Sequence, residues 1–255
     1  MFDGYNFIFN DIPSELYGFK VVELNGGVRD DNFGVPYQIH DEKVRGNPVP
    51  YFYGTEQAPT LSFTMTIGRE HYMDGYTRRA VDSWLSQPEY KILKIQQEDL
   101  SDIEFKCMLL DKTNKQFGNL SYAVEYTVQC DAPYGYTETF TTSYSPTDPD
   151  DIEFNNPSNV NGYTYPIIFA KLTGTDTSFT VTNTTDNSRA FEMTGLTASE
   201  ELTIDCQKGI ITSSTSLNRI SDANKIWFRV LNGLNEITVE GLQTFSITGK
   251  YPLAV

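Results

Sequence analysis

The sequence has little of the side-chain chemistry that most enzyme and metal sites require. It holds two histidines, His40 and His71, and three cysteines, Cys107, Cys130 and Cys206, none of them in a CxxC pair. Because histidine is the commonest metal ligand and acid–base group near neutral pH, two of them leave little room for either chemistry. The odd cysteine count favours reduced, buried thiols in a protein made in a cytoplasm.

Basic residues and long apolar runs are also scarce. Lys and Arg number 19 against 34 Asp and Glu, which gives a net charge of −15 and a pI near 4.5. Residues 1–139 carry 12 basic and 21 acidic side chains, and the rest of the chain carries 7 and 13. Neither half offers the basic surface that phosphate binding needs, and the acidity repels DNA and anionic membranes. No apolar run reaches the roughly 18 residues of a membrane span, and the first residues lack the pattern of a signal peptide.

The motifs of known catalytic and cofactor sites are absent as well. The sequence has no G-x-S-x-G, HExxH, GxGxxG or P-loop pattern, so we predict no catalytic, cofactor-binding or metal-binding residues. The acidic cluster from Asp148 to Glu153 lacks the ligand register of an EF-hand calcium loop and is interpreted as a solvated linker. An enzyme is therefore the function class that the sequence favours least.

What the sequence does contain is alternation between apolar and polar residues. Hydrophobic residues make up 39% of the chain and aromatic residues 13%, which is enough for a sizeable core. The alternation runs along Leu61–Ile67, Ile103–Leu109 and Leu120–Cys130, and a further strand is predicted at Tyr90–Ile95. A period of two is typical of antiparallel strands with one buried and one solvated face. The fold class is therefore predicted to be mainly β.

One segment departs from this alternation and predicts a helix. Val81, Trp84 and Leu85 recur at helical spacing, Asp74 is a suitable N-cap, and Pro88 marks an end. We predict one α-helix of about three turns between Asp74 and Leu85.

The segment 137–160 is predicted to be a linker between two domains, residues 1–136 and residues 161–255. It contains Ser-Pro, Asp-Pro and Asn-Pro steps, which favour extended or turn backbone. The second domain is predicted to be a β-sandwich, because short strands follow one another at intervals of roughly 8–12 residues. These predicted strands are Pro166–Leu172, Phe179–Thr182, Ala190–Met193, Leu202–Asp205, Gly209–Ser213, Ile226–Leu231, Asn235–Glu240 and Thr244–Lys250.

Several local features of the sequence lead to separate structural predictions. Asn232-Gly233, and Asn25-Gly26 near the N-terminus, are typical of hairpin turns. Trp227 lies in a predicted strand with two partly apolar faces, which favours core packing over stacking on a sugar. The region Ile39–Tyr53 has two prolines and three aromatics but no clear alternation. It is either an arm that reaches a neighbouring subunit or an ordinary surface loop.

The order of these elements is more specific than any single motif. The strand Leu61–Ile67 leads to a helix that ends Asp82-Ser83-Trp84-Leu85, and the long strand ends in Cys130-Asp131-Ala132-Pro133-Tyr134-Gly135. Other matching segments are Phe7 followed by Tyr17-Gly18-Phe19-Lys20-Val21, and later Tyr165–Ile168, Phe191–Leu196 and Leu202–Asp205. This colinear set resembles the distal tail protein family of long-tailed, non-contractile bacteriophages, and it covers nearly the whole chain.

The resemblance implies an assembly rather than a catalytic site. It implies an N-terminal β domain with one α-helix that forms a hexameric hub ring with a DNA-wide channel, and a C-terminal galectin-like or jelly-roll sandwich that projects outward. The implied partners are the tail tube protein, the tape measure protein, the tail-associated lysin or spike protein, and receptor-binding proteins. The implied location is the tail tip of a virion assembled in the host cytoplasm. The charge of −9 on residues 1–139 suits such a ring, because a neutral or electronegative lumen lets DNA pass without retention.

Two other assignments compete with this one. A carbohydrate-binding, lectin-like adhesion module predicts exposed aromatics on one sandwich face, but it gives the first half of the chain no role. A tail tube protein shares the ring arrangement, but it does not need a second domain of the size that follows residue 139.

Overall fold

The computed structural model describes residues 4–24, 37–117, 120–147 and 149–254. The fold is mainly β with one α-helix among these residues, which confirms the predicted fold class. Two compact units divide the chain, one formed by Met1–Tyr136 with Ala254–Val255 and the other by Thr137–Leu253.

The first unit is built on one large antiparallel sheet. Its strands are β1 (Phe7–Phe9), β2 (Ile12–Pro13), β3 (Lys20–Leu24), β4 (Tyr37–Glu42), β5 (Tyr51–Gln57), β6 (Ser62–Gly68), β7 (Lys91–Ile95), β8 (Glu104–Phe117), β9 (Leu120–Cys130) and β10 (Gly135–Tyr136), with a 3-10 turn at Ser14–Tyr17 and helix α1 at Gly75–Leu85. The main sheet has the order β2-β1-β7-β8-β9-β6-β3, and β10 pairs with β8. Strands β4 and β5 form a separate two-stranded sheet.

The alternation in the sequence accounts for the core of this sheet. Strand β9 spans the predicted residues Leu120–Cys130, and its apolar side chains at Val124, Tyr126 and Val128 are buried. Strand β8 runs past its predicted end at Leu109 to Phe117, because it pairs with β9 along most of its length. Long antiparallel pairing of this kind leaves one face for the core and one for solvent.

The predicted helix is confirmed at both ends. The carboxylate of Asp74 accepts the Thr77 N–H at 2.7 Å, which satisfies one of the free donors in the first turn. Val81, Trp84 and Leu85 are the buried side chains of α1. After Leu85 the chain leaves the helix, and the side-chain amide of Gln87 donates to the carbonyl of Trp84.

The second unit is a sandwich of two antiparallel sheets. Its strands are β11 (Phe140–Tyr144), β12 (Asp150–Asn156), β13 (Tyr163–Thr164), β14 (Ile167–Leu172), β15 (Phe179–Asn183), β16 (Arg189–Met193), β17 (Glu201–Asp205), β18 (Ile210–Ser213), β19 (Val230–Leu231), β20 (Gly233–Glu240), β21 (Leu242–Gly249) and β22 (Pro252–Leu253). One sheet has the order β11-β21-β14-β17-β18 and the other the order β12-β20-β15-β16. Buried side chains from both sheets, among them Ile168, Phe245, Val181 and Phe191, form one core.

The prediction that segment 137–160 is a linker is wrong. Half of it forms strands β11 and β12, each of which pairs with a long strand of the sandwich. In β12 the side chains of Ile152, Phe154 and Asn156 are buried, while those of Asp151, Glu153 and Asn155, which alternate with them, are exposed. The acidic residues and Pro steps suggested a solvated connection, but the period-two alternation beneath them determines the structure.

The predicted strand Ile226–Leu231 is also wrong over most of its length, since only Val230–Leu231 is a strand. The reason is that side chains bind the backbone of residues 226–229. Arg189 Nε donates to the Trp227 carbonyl at 3.0 Å, and Asn183 donates to the Arg229 carbonyl at 3.0 Å. Trp227 nevertheless packs against the core, stacked on Phe191 with a centroid distance of 5.7 Å, as predicted.

The Asn232-Gly233 hairpin prediction is wrong as well. Strand β19 pairs with β13, whereas β20, which begins at Gly233, pairs with β12 and β15. The side chain of Asn235 takes the place of a strand partner: it accepts the Leu231 N–H at 2.8 Å and donates to the Leu231 carbonyl at 2.9 Å. The other predicted turn, Asn25-Gly26, lies outside the described residues.

Candidate assembly surface

The β4–β5 hairpin is the most unusual surface feature of the first unit. Its two strands pair with each other from Tyr37–Gln57 to Glu42–Tyr51, with a bulge after His40. No other described strand pairs with either of them. We call residues Tyr37–Gln57 the arm. Most of it is the region Ile39–Tyr53, which the sequence predicts to be either an arm that reaches a neighbouring subunit or an ordinary surface loop.

Over residues 38–56 the arm contributes no buried side chain to the protein core. Among residues 38–56, Asn47 and Gly54 are partly buried and all the others are exposed. Its apolar members are exposed by about half or more: Ile39, Val44, Val49, Tyr51, Phe52 and Tyr53. A lone two-stranded hairpin is marginally stable in water, and exposed apolar side chains close together are typical of interaction surfaces.

Polar contacts within the arm hold its strands together without covering the apolar side chains. His40 Nε2 lies 3.2 Å from Glu56 Oε2, and the Tyr53 hydroxyl donates to Glu42 at 3.2 Å. At the turn the Asn47 side chain accepts the Val49 N–H at 3.3 Å. Gly54 has φ of 138°, a conformation that favours glycine and lets the strand continue past the bulge.

The histidines and cysteines lie apart from any catalytic arrangement. His40 is in the arm, and His71 is exposed in the segment before α1, where Asp74 rather than His71 caps the helix. All three thiols are buried and unpaired. In the part of the chain that the structure describes, no group of three or more His, Cys, Asp or Glu side chains is placed to hold a metal ion.

The second unit has an open polar cleft of about 620 Å³ beside edge strand β16. Arg229 and Asp186 form a two-point ion pair on its wall, with N···O distances of 2.6 and 3.0 Å. Tyr163 is the one exposed aromatic side chain among the described residues of this unit. The guanidinium of Arg229 lies over its ring, 4.0 Å from the centroid. One face of that ring is thus already covered by a cation.

A buried ionic network fixes the loops on another side of the sandwich. Arg219 holds Glu200 through two hydrogen bonds, of 2.9 and 2.7 Å, and also contacts Asp222 at 3.0 Å. Burial opposes ionisation of Glu200, but the hydrogen bonds from Arg219, Ser213 and the Thr197 N–H hold the pKa of this carboxyl at about 2. The sequence does not indicate this network, because Glu200 and Arg219 are 19 residues apart and belong to no known motif.

Among the described residues, none of the helical structure has the length and apolar character needed to cross a membrane.

Two family models match almost the whole chain. A family model described as a phage tail protein N-terminal domain matches residues 2–132, and a model described as a phage tail C-terminal domain matches residues 134–249. A relative is the SPbeta prophage-derived uncharacterized protein YomH of Bacillus subtilis strain 168. It is 26% identical over 240 residues, which cover 92% of each chain.

Solved structures share the whole fold. The crystal structure of the SPP1 Dit protein, described as a paradigm of the hub adsorption apparatus in phages that infect Gram-positive bacteria, superposes with a TM-score of 0.72 at 11% identity. The match covers 97% of this chain and 99% of that one. A chain of the phage P2 baseplate in its activated conformation with Ca has a TM-score of 0.55 at 11% identity over 96% and 97% of the two chains. The chain therefore belongs to a family of phage tail proteins, whose N-terminal and C-terminal domain models together match nearly its whole length.

Proposed function

We propose that this phage tail protein is a distal tail hub, which works as a hexameric ring in which the first unit forms the ring and the second unit projects outward. The observation that carries the proposal is the arm. A hairpin with six exposed apolar side chains and no strand partner in the described chain has the form of an element that packs on a neighbouring copy. The likeness to SPP1 Dit, which is described as a hub of the adsorption apparatus, covers almost the full length of both chains and supports a hub role.

In this proposal the ring surrounds the path of the DNA. Residues 1–139 carry a net charge of −9, so a wall built from the first unit does not neutralise phosphates and release counterions. DNA therefore passes without being retained. A ring that has to guide a polyanion during ejection benefits from repulsion on all sides.

The ring's faces and its outward units would connect the other tail components. We infer contacts with the tail tube protein and the tape measure protein on one side, and with the tail-associated lysin or spike protein on the other. The second unit is the place for receptor-binding proteins. The protein would be located at the tail tip of the virion, which is assembled in the host cytoplasm. The role is structural, and no reaction is assigned to the chain.

The carbohydrate-binding alternative has less support. It requires aromatic rings free to stack on sugars, and the exposed Tyr163 is covered on one face by Arg229. Trp227, the other candidate, packs against Phe191 and the core. The first unit and its arm would also have no role in such a module.

The test is the mass of the purified protein in solution, measured by light scattering over a range of concentrations, with negative-stain images of the same samples. We expect a species of six times the 28.9 kDa chain mass and six-fold rings with a central hole. If the isolated chain is monomeric, the measurement is repeated with the lysin or tube partner, because ring closure depends on concentration and partners. A monomer in both experiments together with measurable glycan affinity would support the lectin assignment instead.

A further inference from the structure

Two of the three cysteines lie directly opposite each other on neighbouring strands. In the register of β8 and β9, Cys107 is the partner of Cys130. The next pair along, Lys106 and Asp131, carries an inter-strand hydrogen bond of 2.9 Å from the Asp131 N–H to the Lys106 carbonyl. The Cys130 N–H points the other way, to the carbonyl of Leu61 at 2.9 Å. Cys107 and Cys130 therefore form a non-hydrogen-bonded pair.

This kind of pair brings two side chains as close as an antiparallel sheet allows. The Cα atoms of a non-hydrogen-bonded pair lie about 4.5 Å apart. A disulfide requires Cα atoms about 4.4–6.8 Å apart, so the backbone already has a spacing that a disulfide accepts. Both side chains are buried, 0% and 1% exposed, on the same face of the sheet. A bond between them needs no movement of either strand to a new register.

We propose that Cys107 and Cys130 are an oxidation site that closes to a cross-strand disulfide when the protein meets a disulfide oxidant. With oxidised glutathione, one cysteine thiolate attacks the glutathione disulfide and releases one glutathione thiolate. The second cysteine thiolate then attacks the mixed disulfide and releases the other. The protein loses two protons and two electrons, and one glutathione disulfide becomes two glutathione thiols.

The environment of the two thiols makes this oxidation slow. Burial raises the pKa of Cys130 to about 12 and that of Cys107 well above its usual value, and the neighbouring Cys130 raises the pKa of Cys107 further. Because the thiolate is the reacting form, exchange waits for a local opening of the strand pair. Cys130 is the last residue of β9, so the opening that exposes it involves the end of the strand pair rather than its middle. The pair stays reduced in a cytoplasm and oxidises after release from the cell.

Cys206 provides an internal control. It is as buried as Cys130, at 1% exposed, and burial likewise raises its pKa to about 12. It belongs to the second unit, after β17, and its Sγ contacts the carbonyl of Ile204. General oxidation of buried thiols would therefore modify Cys206 at a rate similar to the other two, whereas a specific pair leaves it free.

The experiment uses the full chain, held either in a reducing buffer or with oxidised glutathione near neutral pH. Free thiols are then alkylated in denaturant, and the protein is digested and mapped by mass spectrometry. We expect a linked Cys107–Cys130 peptide, 2 Da lighter than the sum of its reduced parts, with Cys206 alkylated. The melting temperature of the oxidised protein should rise by about 5 °C or more and return to its starting value with reductant.

Cysteine variants separate the pair from its surroundings. C107A and C130A should each lose the linked peptide and the oxidant-dependent rise in melting temperature, while C206A keeps both. Three alkylated thiols after oxidation, or only separate glutathione adducts, would overturn the proposal. The wild-type peptide map decides the matter even if one variant does not fold. The hexamer is tested separately by light scattering on reduced protein, so failure of either idea leaves the other standing.

Discussion

The indole Nε1–H of Trp84 donates a hydrogen bond of 2.9 Å to the backbone carbonyl of Phe9. This bond joins the single described helix to strand β1, which is 75 residues earlier in the chain. The indole also makes stacked contacts with two rings, with centroid distances of 5.6 Å to Phe7 and 4.9 Å to Tyr17. One side chain therefore fixes α1 against the N-terminal strands that belong to the main sheet.

The first prediction concerns this contact. Trp84→Phe removes a buried hydrogen bond, which costs about 1 kcal/mol, and leaves part of the indole volume empty, which costs a further ~1–2 kcal/mol. Chemical denaturation should show a drop of about 2–3 kcal/mol in unfolding free energy. Tyr76→Phe on the same helix is the control, because Tyr76 is 80% exposed and should change stability by less than about 0.5 kcal/mol. Equal effects of the two substitutions would contradict the structural role of Trp84.

Much of the first unit follows from short-range patterns in the sequence. Strand β9 has its predicted bounds because one face of it is apolar at every second position, and α1 begins and ends where Asp74 and Leu85 predict. These signals are local, and each is satisfied within a few residues of the chain. The contact between Trp84 and Phe9 shows the limit, since no local pattern indicates which distant carbonyl an indole will meet.

The errors in the second unit have a common physical cause. For residues 137–160 and 226–231, the composition, turn residues and apolar content predict one structure, whereas the hydrogen-bond partners of the backbone produce another. Strand β12 exists because β20 pairs with all of its residues. Residues 226–229 are not a strand because Arg189 and Asn183 bind their carbonyls from elsewhere in the chain. Partners at such distances cannot be identified from one sequence.

The arm was indicated by the sequence only as one of two alternatives. Its exposed rings, Tyr51, Phe52 and Tyr53, are adjacent rather than alternating, so neither a core strand nor a solvated loop accounts for them. A side chain that is buried only against another molecule leaves no periodic signal within its own fold. The oligomeric contact that we propose for the arm therefore has no periodic signature in the sequence.

The second prediction tests the electrostatic part of the proposed function. Because Asp and Glu outnumber Lys and Arg by 34 to 19, the protein should show no retention of linear double-stranded DNA in a gel-shift assay, even near 50 mM salt. The ring and the unassembled chain should behave alike. A shifted band that disappears as salt increases would reveal a basic surface and would contradict a lumen that repels DNA.

The third prediction concerns the arm. The double substitution Val49→Ser with Phe52→Ser should leave the unfolding temperature of the monomer nearly unchanged, since both side chains are about two-thirds exposed. If they are buried in the ring, each loses roughly 1.5–3 kcal/mol of apolar contact per interface, which lowers association more than tenfold. Light scattering at equal concentrations measures the shift from ring to monomer.

Leu217→Ser provides the matched control for the arm. Leu217 is 55% exposed but lies in the second unit, so its loss should leave the fraction of rings unchanged. Rings that survive the arm substitution at the wild-type level would show that the hairpin is a surface loop after all.

The fourth prediction follows from the buried pair of Glu200 and Arg219. The pKa of Glu200 is about 2 in the folded protein and has its ordinary value, near 4.5, in the unfolded chain. A lowered folded pKa stabilises the protein above the unfolded value, and this contribution is lost as pH falls from about 5 toward 2. Glu200→Gln should cost about 3–5 kcal/mol at pH 7, because it leaves Arg219 buried without its charge partner. Its melting temperature should also fall less steeply than that of the wild type over that acid range.

Glu201→Gln is the control one residue away. The Glu201 carboxylate forms an exposed ion pair with Lys171 at 3.0 Å, which contributes less than about 1 kcal/mol to stability. Parallel pH profiles for wild type and Glu200→Gln would mean that Glu200 is not the group that titrates.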